Sequence, residues 1–401
     1  MKTLIVFSHL RWNFVFQRPQ HLLSRLARKF KVVFVEEPFP GAEGNHLERL
    51  QPVAGVEVWR PHLAGSEPGF HDNHLPALKP MIEAAIRDSR LQDYGVWFYT
   101  PMAIPLVADL EPRVVVYDCM DELASFKNAP RQLMQRENAL FKMADLVFTG
   151  GRSLFEAKRH RHANVHCFPS SVDAQHFTSD AGRPPHPAQP QADGPLLGYC
   201  GVIDERIDLG LIADMARQRP QWQFVMVGPT AKLDPAVLPR EPNVHWLGQR
   251  DYGDLPSLIS GWDICLMPFA LNEATRFISP TKTLEYMACG KPCVSTAIKD
   301  VVDPYSHVVS IASDSAGFIA ACGALLTQSA SERTEHARRM AEVVGRTSWD
   351  RTAEAMVRLI EAAAAQSKLD TQSEQSGTLT LGARESRPLP KQPAPMAAGA
   401  G

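Results

Sequence analysis

Short apolar runs alternate with longer amphipathic stretches from the first residues of the chain. The segment TLIVFS (3–8) is an apolar run of strand length, and PQHLLSRLARKF (19–30) then places its leucines on one face of a helix. KVVFVEEP (31–38) follows as a run of β-branched residues that ends in proline. Because apolar strands alternate with helices, the pattern predicts an α/β fold with parallel sheets covered on both faces.

A break in this alternation divides the chain into two domains. The segment 178–195 is rich in proline, alanine and glycine and has no periodicity, which predicts a linker or a long surface loop. Strands and helices then resume. We therefore expect α/β domains at 1–177 and 196–365, followed by a disordered tail at 366–401 that is rich in serine, glutamine, proline and alanine. Ligands of such domains bind where strands end, so the residues that follow each strand are the candidates.

Composition narrows the class of protein. The 401 residues carry a formal net charge of -2, so no global field favours nucleic acid as a partner. No apolar stretch is long enough for a signal peptide or a membrane span, which predicts a cytoplasmic protein. The seven cysteines include no CxxC pair and are expected to be buried free thiols. Basic runs at 25–31 and 158–162 would allow peripheral contact with the inner membrane face, although solvated helix faces are the simpler interpretation.

The segment SPTKTLEYMACGKPCVS (279–295) predicts a helix that begins with an anion site. Ser279 suits the N-cap, the following proline suits the first helical position, and Gly290 suits the position just beyond the end. Free N–H groups at the helix start attract anions, and Lys282 adds a full charge there. Glu285, one turn deeper, offers oxygens to vicinal hydroxyls such as those of ribose. The stretch suits a nucleoside diphosphate; an ordinary Lys–Glu pair on a capped helix is the alternative.

Three absent motifs limit the chemistry. The chain has no GxxxxGK[ST] loop and no GxGxxG after its first strand, which argues against a kinase, an ATPase or a standard dinucleotide oxidoreductase. No DxD motif follows a strand. We therefore expect no cofactor and no required metal.

The second half of the chain resembles nucleotide-sugar glycosyltransferases of the two-Rossmann (GT-B) fold. FPSSVDAQHF (168–177) resembles their interdomain segment, and GYCGVIDERIDLGLIA (198–213) resembles the opening of their second domain. The segments 243–269 and 279–295 resemble their donor-binding half. The resemblance implies two Rossmann-like parallel-sheet domains that face a cleft, and transfer of a sugar from a nucleoside diphosphate donor, with UDP expected.

The first half resembles a bacterial subgroup that builds cell-surface polysaccharides, including the teichuronic-acid type. SHLRWNFVFQRPQHLLSRLA (8–27) and VYDCMDELASF (116–126) carry this resemblance, which in all covers roughly residues 1–365. It implies a glycan or a lipid-linked molecule as the acceptor.

The resemblance also implies roles for individual residues on the donor side. Glu285 would hold the ribose, Lys282 and the helix amides would face the diphosphate, and the loop at 248–252 would line the nucleobase. The donor-binding residues expected on this basis are Glu285, Lys282, Thr281, Arg206, Gly201, Arg250 and Tyr252. One departure stands out, because many retaining members carry a further glutamate where this chain has Phe277. Glu273 is nearby but out of register, which leaves the stereochemical outcome open.

The first domain is expected to bind the acceptor. The segment after the first strand mixes aromatic and polar groups, and its candidate acceptor-binding residues are Trp12, Gln17, Arg18 and His21. As an alternative, the aromatic residues are loop core and His21 is an ordinary helix residue. Past a later strand, Asp121 is the first candidate for a catalytic base and Asp118 the second. The alternatives are a helix cap for Asp121 and a buried structural acceptor for Asp118.

Two other functions remain open at this stage. A nucleotide-sugar epimerase on the same double fold would need no acceptor groove. A non-catalytic nucleotide-sugar-binding module would be consistent with the departure at Phe277.

Overall fold

The chain forms two β-sheets, one in each half, and the predicted apolar runs supply most of their strands. The computed structural model describes residues 1–127, 129–178, 186–191 and 193–375, with side chains as far as 367. Residues 179–185 and 192 of the predicted linker, and all of the chain beyond Gln375, lie outside the described residues.

The first sheet has helices on both faces, as the apolar runs predict. Its strands are β1 Thr3–Ser8, β2 Lys31–Glu36, β3 His46–Val53, β4 Val56–His62, β5 Tyr94–Phe98, β6 Val115–Cys119, β7 Leu146–Thr149 and β8 Val165–Cys167. Their spatial order is β3-β4-β2-β1-β5-β6-β7-β8, and every described pair is parallel except β3 with β4. Along β1, Ile5 and Phe7 enter one core while Leu4 and Val6 enter the other, because successive side chains of a strand point to opposite faces.

The second sheet is parallel throughout its described pairs. Its strands are β9 Leu196–Cys200, β10 Gln223–Val227, β11 Val244–Gly248, β12 Ile264–Met267, β13 Cys293–Ser295 and β14 Ser310–Ile311. They lie in the order β11-β10-β9-β12-β13-β14. The carboxyl ends of the strands of both sheets meet the same cleft, since residues after β1, β6, β9 and β12 line one cavity.

Helices connect the strands and cover the sheets. They are α1 Arg18–Leu26, α2 Leu75–Asp88, α3 Leu133–Met143, α4 Arg152–Lys158, α5 Ala174–Phe177, α6 Leu209–Gln218, α7 Leu255–Ser260, α8 Thr281–Ala288, α9 Lys299–Tyr305, α10 Ser315–Leu326, α11 Ala330–Gly345 and α12 Trp349–Gln375. Among the helices described, none combines the length and the apolar character needed to cross a membrane.

The chain crosses between the domains at positions other than those predicted. Val172 and Phe177 are buried in the core of the second domain, so the first crossing lies before residue 177. The chain then returns, because α12 places Trp349 and Met356 in a core of the first domain. This helix also continues past residue 366, where we expected the ordered part to end. The first domain is therefore built from both ends of the described chain.

Arg25 contacts both of the segments at which the chain passes between the domains. Arg25, at the end of α1, lies 3.2 Å from Asp173 on the outgoing crossing and 2.9 Å from Asp350 on the returning one. The carboxylates flank a largely buried guanidinium, whose planar fork suits two such partners. Both crossings are thus fastened to the same point of the first domain.

The basic runs of the first domain face acidic partners. Lys158 lies 2.6 Å from Glu122 and 2.9 Å from Glu137, and Arg161 also pairs with Glu137. Arg28 pairs with Asp350 at 2.7 Å. Charges that are neutralised within the protein are less available to anionic lipid, so these pairs weigh against membrane contact. Lys158 is also buried, so it does not lie on a solvated helix face either.

Candidate active site between the two domains

Helix α8 begins at the cleft without a side-chain cap. The helix starts at Thr281 with Pro280 at the N-cap, so the prediction of Ser279 as the cap is wrong by one residue. The carbonyl of Ser279 instead accepts a hydrogen bond of 2.7 Å from Ser170 of the first domain. Because a proline side chain cannot accept a hydrogen bond, the first-turn N–H groups are left for another partner.

The other end of α8 is closed by Gly290, as predicted. Gly290 has a φ of +68°, a conformation that glycine adopts without steric cost. Its N–H donates to Met287, and the N–H of Lys291 donates to Tyr286. These two bonds form a Schellman motif, which directs the chain into β13.

Lys282 and Glu285 form a buried ion pair near the start of α8. The Lys282 Nζ lies 2.6 Å from Glu285 Oε2, and the glutamate is 2% exposed. Burial acts to lower the pKa of Lys282, but the Glu285 carboxylate outweighs it and the net pKa is raised. The ammonium is therefore a permanent cation, and it borders both of the cavities in the cleft.

Two cavities meet at Lys282. The larger cavity, of about 410 Å³, lies between first-domain residues 12–16 and second-domain residues 227–229 and 249–252. The smaller cavity, of about 140 Å³, is bordered by Gln17, Arg18 and Asp121 on one side and by Arg206 and 279–281 on the other. Their lining also shares Val15, Phe16 and Gly201. An elongated ligand could therefore occupy both cavities with its middle at Lys282.

Two glycines allow the backbone of the second domain to border these cavities. Gly201 follows β9 with a φ of +157°, and Gly228 follows β10 with a φ of +144°. A Cβ at Gly228 would collide with the carbonyl oxygen of Gly201, and a Cβ at Gly201 would meet the Tyr199 hydroxyl. Gly228 was not among the predicted residues, although it follows a strand in VMVGPT as Gly201 does in GYCGV.

Arg206 borders the smaller cavity but is already paired. Its guanidinium holds Asp204 with bonds of 2.9 Å and 2.7 Å. Burial acts to lower its pKa, while the Asp204 carboxylate raises it, and the net pKa is raised. Arg206 is thus a compensated cation. Lys282 is paired as well, with Glu285, but it lies in the first turn of α8, where the backbone N–H groups have no side-chain cap and can add to its attraction for a phosphate.

Asp118 and Arg18 form a buried ion pair. This pair corrects two predictions, namely Asp118 as a catalytic base and Arg18 as an acceptor-binding residue. The two carboxylate oxygens of Asp118 accept bonds of 3.0 Å and 2.9 Å from Arg18. Arg18 also donates to the carbonyl oxygen of Phe168 at 2.8 Å. Asp118 is fully buried, so it cannot reach an acceptor hydroxyl and serves as the structural acceptor of the alternative interpretation. Arg18 reaches the smaller cavity, but its main contacts are internal.

Asp121 faces the smaller cavity without a partner of its own. Within the described chain no group donates a hydrogen bond to its carboxylate, and the short helix at Leu123–Ser125 has no side-chain cap. The capping alternative is therefore wrong. Burial raises the pKa of Asp121, while Arg206 and Arg18 oppose the effect. A carboxyl group with a raised pKa is a better proton acceptor, as a general base requires.

Trp12 and His21 are packing residues rather than free acceptor contacts. Trp12 is 7% exposed, and its ring packs edge-on against Phe34 at 5.2 Å. His21 is stacked on Trp349 at 4.9 Å, and burial followed by the charge of Arg25 lowers its pKa well below the usual value. Because both side chains are buried, the prediction that Trp12 and His21 bind the acceptor is wrong. Of the four predicted acceptor residues, Gln17 and Arg18 border the smaller cavity.

Tyr252 lines the larger cavity but cannot stack on a ligand. Phe16 covers one face of its ring at 4.2 Å, and His176 is stacked at 4.1 Å with an interplanar angle of 7°. Arg250, in the same loop, is exposed and borders the cavity. The predicted loop is therefore beside the cavity, and Arg250 rather than Tyr252 is free to contact a nucleobase.

The position of the missing glutamate is not filled by a neighbour. The side chain of Glu273 is 74% exposed and lies 3.5 Å from Arg276. Phe277 packs against a core of the first domain. The carboxylate of Glu273 therefore does not reach the smaller cavity, and Phe277 has no carboxylate to offer. Among the described residues, no group of three or more metal-binding side chains is positioned to hold a metal ion.

Comparison with known proteins agrees with this architecture. Residues 195–328 match the family described as Glycosyl transferases group 1. The chain is 27% identical over 285 residues to TuaH of Bacillus subtilis (strain 168), a protein assigned as a teichuronic acid biosynthesis glycosyltransferase, and the match covers 65% of this chain and 71% of TuaH.

Solved structures show the same fold at lower identity. Sucrose-phosphate synthase from Thermosynechococcus elongatus has a TM-score of 0.69 at 16% identity, with 91% of this chain and 100% of that chain covered. Anabaena HepE in complex with UDP and glucose has a TM-score of 0.63 at 14% identity, with 90% and 100% covered. Residues 195–328 are therefore a domain of the Glycosyl transferases group 1 type, and the two facing parallel-sheet domains give the chain the GT-B fold of these glycosyltransferases.

Proposed function

We propose that this enzyme transfers a sugar from a UDP-sugar to a glycan or lipid-linked acceptor in the synthesis of a cell-surface polysaccharide. The observation that carries the proposal is Lys282, which lines both cavities at the uncapped start of α8 and is paired with the buried Glu285 behind it. UDP is supported by the HepE complex with UDP and glucose. The polysaccharide role is supported by the relative assigned to teichuronic acid synthesis.

On the donor side, Lys282 and Glu285 contact different parts of the nucleotide. Lys282 and the N–H groups at the start of α8 receive the diphosphate, whose negative charge increases as the bond to the sugar breaks. Donors fixed in position before the reaction stabilise such charge without reorganisation. Glu285 accepts hydrogen bonds from the ribose hydroxyls. The nucleoside occupies the larger cavity and the sugar the smaller one.

On the acceptor side, Asp121 is the proposed base. It takes the proton of the acceptor hydroxyl as that oxygen bonds to the anomeric carbon and the diphosphate leaves. Gln17, which borders the same cavity, orients the sugar or the acceptor. Lys282 supplies the positive charge that a metal supplies in other transferases, so we expect activity to persist in EDTA.

The first test is thermal stabilisation by UDP, GDP, CMP, ADP and NAD. A ligand that binds only the folded protein stabilises it by about 2.7 kcal/mol at 100 times its dissociation constant. We expect UDP to raise the melting temperature of the wild type and to lose this effect in Glu285→Gln and Lys282→Met. Lys299→Met is the matched control, since Lys299 belongs to an exposed pair on α9, 3.9 Å from Asp303. No shift with any nucleotide would refute the donor site.

Turnover separates the remaining functions. A transferase releases UDP at a rate that depends on an added acceptor, whereas an epimerase converts its donor with no acceptor present. Donor binding with no turnover under either condition would indicate a binding module.

A further inference from the structure

The two walls of the larger cavity differ in chemistry. The first domain contributes an apolar wall that includes Phe14 and Val53, which are 38% and 40% exposed. The second domain contributes the polar side chains of Gln249 and Arg250, and Lys282 stands where the two cavities meet. A ligand that fits has an apolar face, a polar edge and an anionic end. A nucleotide has these three properties.

Among the aromatic residues that line this cavity, Phe14 is the one whose ring is not committed to packing. Both faces of Tyr252 are covered by Phe16 and His176. Phe16 is itself committed to that stack, and Trp12 is buried against Phe34. Phe14 makes no ring contact within the described chain and borders the cavity. Its exposed ring lines the cavity together with Val53, so the two side chains form an apolar wall that a ligand can cover.

The main chain of Phe14 is fixed across the domain interface. The side-chain amide of Gln249 donates to the carbonyl oxygen of Phe14. The N–H of Phe14 donates to Arg11 at 3.3 Å. The backbone that carries the Phe14 ring is therefore held by the same second-domain loop that borders the cavity from the opposite side.

We propose that Phe14 stacks on the base of the donor nucleotide, so that the first domain contributes directly to donor binding. This inference rests on the proposed function and adds a residue from the acceptor domain to the donor site. A base that lies on Phe14 presents its edge to Gln249 and Arg250, and its diphosphate extends to Lys282. Base–aromatic stacking is a strong contact that tolerates different bases, so Phe14 positions the nucleotide and does not select uracil.

The test compares UDP with pyrophosphate, since only UDP carries a base. Dissociation constants are measured by calorimetry for the wild type, Phe14→Ala, Phe14→Trp and Met134→Ala. Phe14→Ala should weaken UDP binding by about 5- to 150-fold and leave pyrophosphate binding unchanged. Phe14→Trp should bind UDP at least as well as the wild type. Met134 is an exposed first-domain residue away from both cavities, so Met134→Ala should bind both ligands normally.

The other outcomes are decisive as well. Equal losses for UDP and pyrophosphate in Phe14→Ala would show that the change disturbs the cleft, and would overturn the stacking role. Unchanged UDP binding in Phe14→Ala would overturn this inference alone. Failure of the wild type to bind any nucleoside diphosphate would overturn the proposed function. If the nucleotide panel selects GDP, GDP takes the place of UDP.

Discussion

Asp118 lies near the end of β6 and Asp121 just beyond the end of that strand, yet their surroundings give them different chemistry. The carboxylate of Asp118 is saturated by Arg18, so it is fixed and shielded. Asp121 borders the smaller cavity, and burial raises its pKa. Residue type and spacing alone could not separate the two, because the partner of Asp118 comes from α1, far away in the sequence.

Asp121→Asn should reduce kcat by about 10²- to 10⁴-fold, because the acceptor hydroxyl would lose its general base. Its UDP dissociation constant should stay close to that of the wild type. Steady-state kinetics and calorimetry measure the two quantities. If kcat were unchanged, Asp121 would not be the base.

The pH dependence follows from the same group. A base must be deprotonated, so kcat/KM of the wild type should fall as the pH falls through the pKa of Asp121. That fall should lie above the ordinary aspartate range, because the pKa is raised. Asp121→Asn should lack this acidic limb while keeping any other pH effect.

At the scale of elements, the sequence was most informative where a local rule decides the structure. Gly290 ends α8 because only glycine adopts that conformation freely. The central strands were recognisable from their apolar runs. The apolar runs did not predict β3 or β4. The β3 segment HLERLQPV carries charges and lies exposed at the edge of the first sheet. Edge strands are often charged, which hides their β character in the sequence.

Gly290→Ala should destabilise the protein by about 1 kcal/mol, because alanine resists a positive φ. A Cβ at this position would meet no atom within 4 Å, so the effect comes from the backbone alone. Chemical denaturation measures it, and UDP affinity should not change. Gly345→Ala is the control, since its site at the end of α11 is equally open and its φ is not positive. Similar losses in both variants would contradict the argument.

At the scale of the whole molecule, the fold depends on pairings that no local pattern encodes. The amphipathic pattern of α12 showed that it buries one face, but it could not show which domain receives that face. The ion pair of Arg18 with Asp118 and the covering of Tyr252 by Phe16 likewise join distant segments. The helix α8 was predictable from its own segment, whereas the residues that face it across the cleft were only partly so.

Met356→Ala tests the attachment of α12 to the first domain. Met356 is fully buried in a first-domain core, and removing such a side chain costs about 2–5 kcal/mol. The loss should appear as a lower denaturation midpoint. Glu354→Ala, on the exposed side of the same helix, should leave the midpoint unchanged. Equal midpoints for the two variants would show that α12 is not part of the folded first domain.

The double crossing also bears on how such a protein can change during evolution. Arg25 contacts both Asp173 and Asp350, and the described residues between these two aspartates form the second domain. That domain is in effect an insertion whose two ends leave the first domain at one point, the contact of Arg25 with Asp173 and Asp350. A recombination event that exchanged this stretch of the gene would replace one complete domain and preserve the core of the other. Conversely, a cut within residues 1–171 would separate β-strands that must pair. Exchange at the Arg25 contact is therefore the less disruptive route to a new combination of domains.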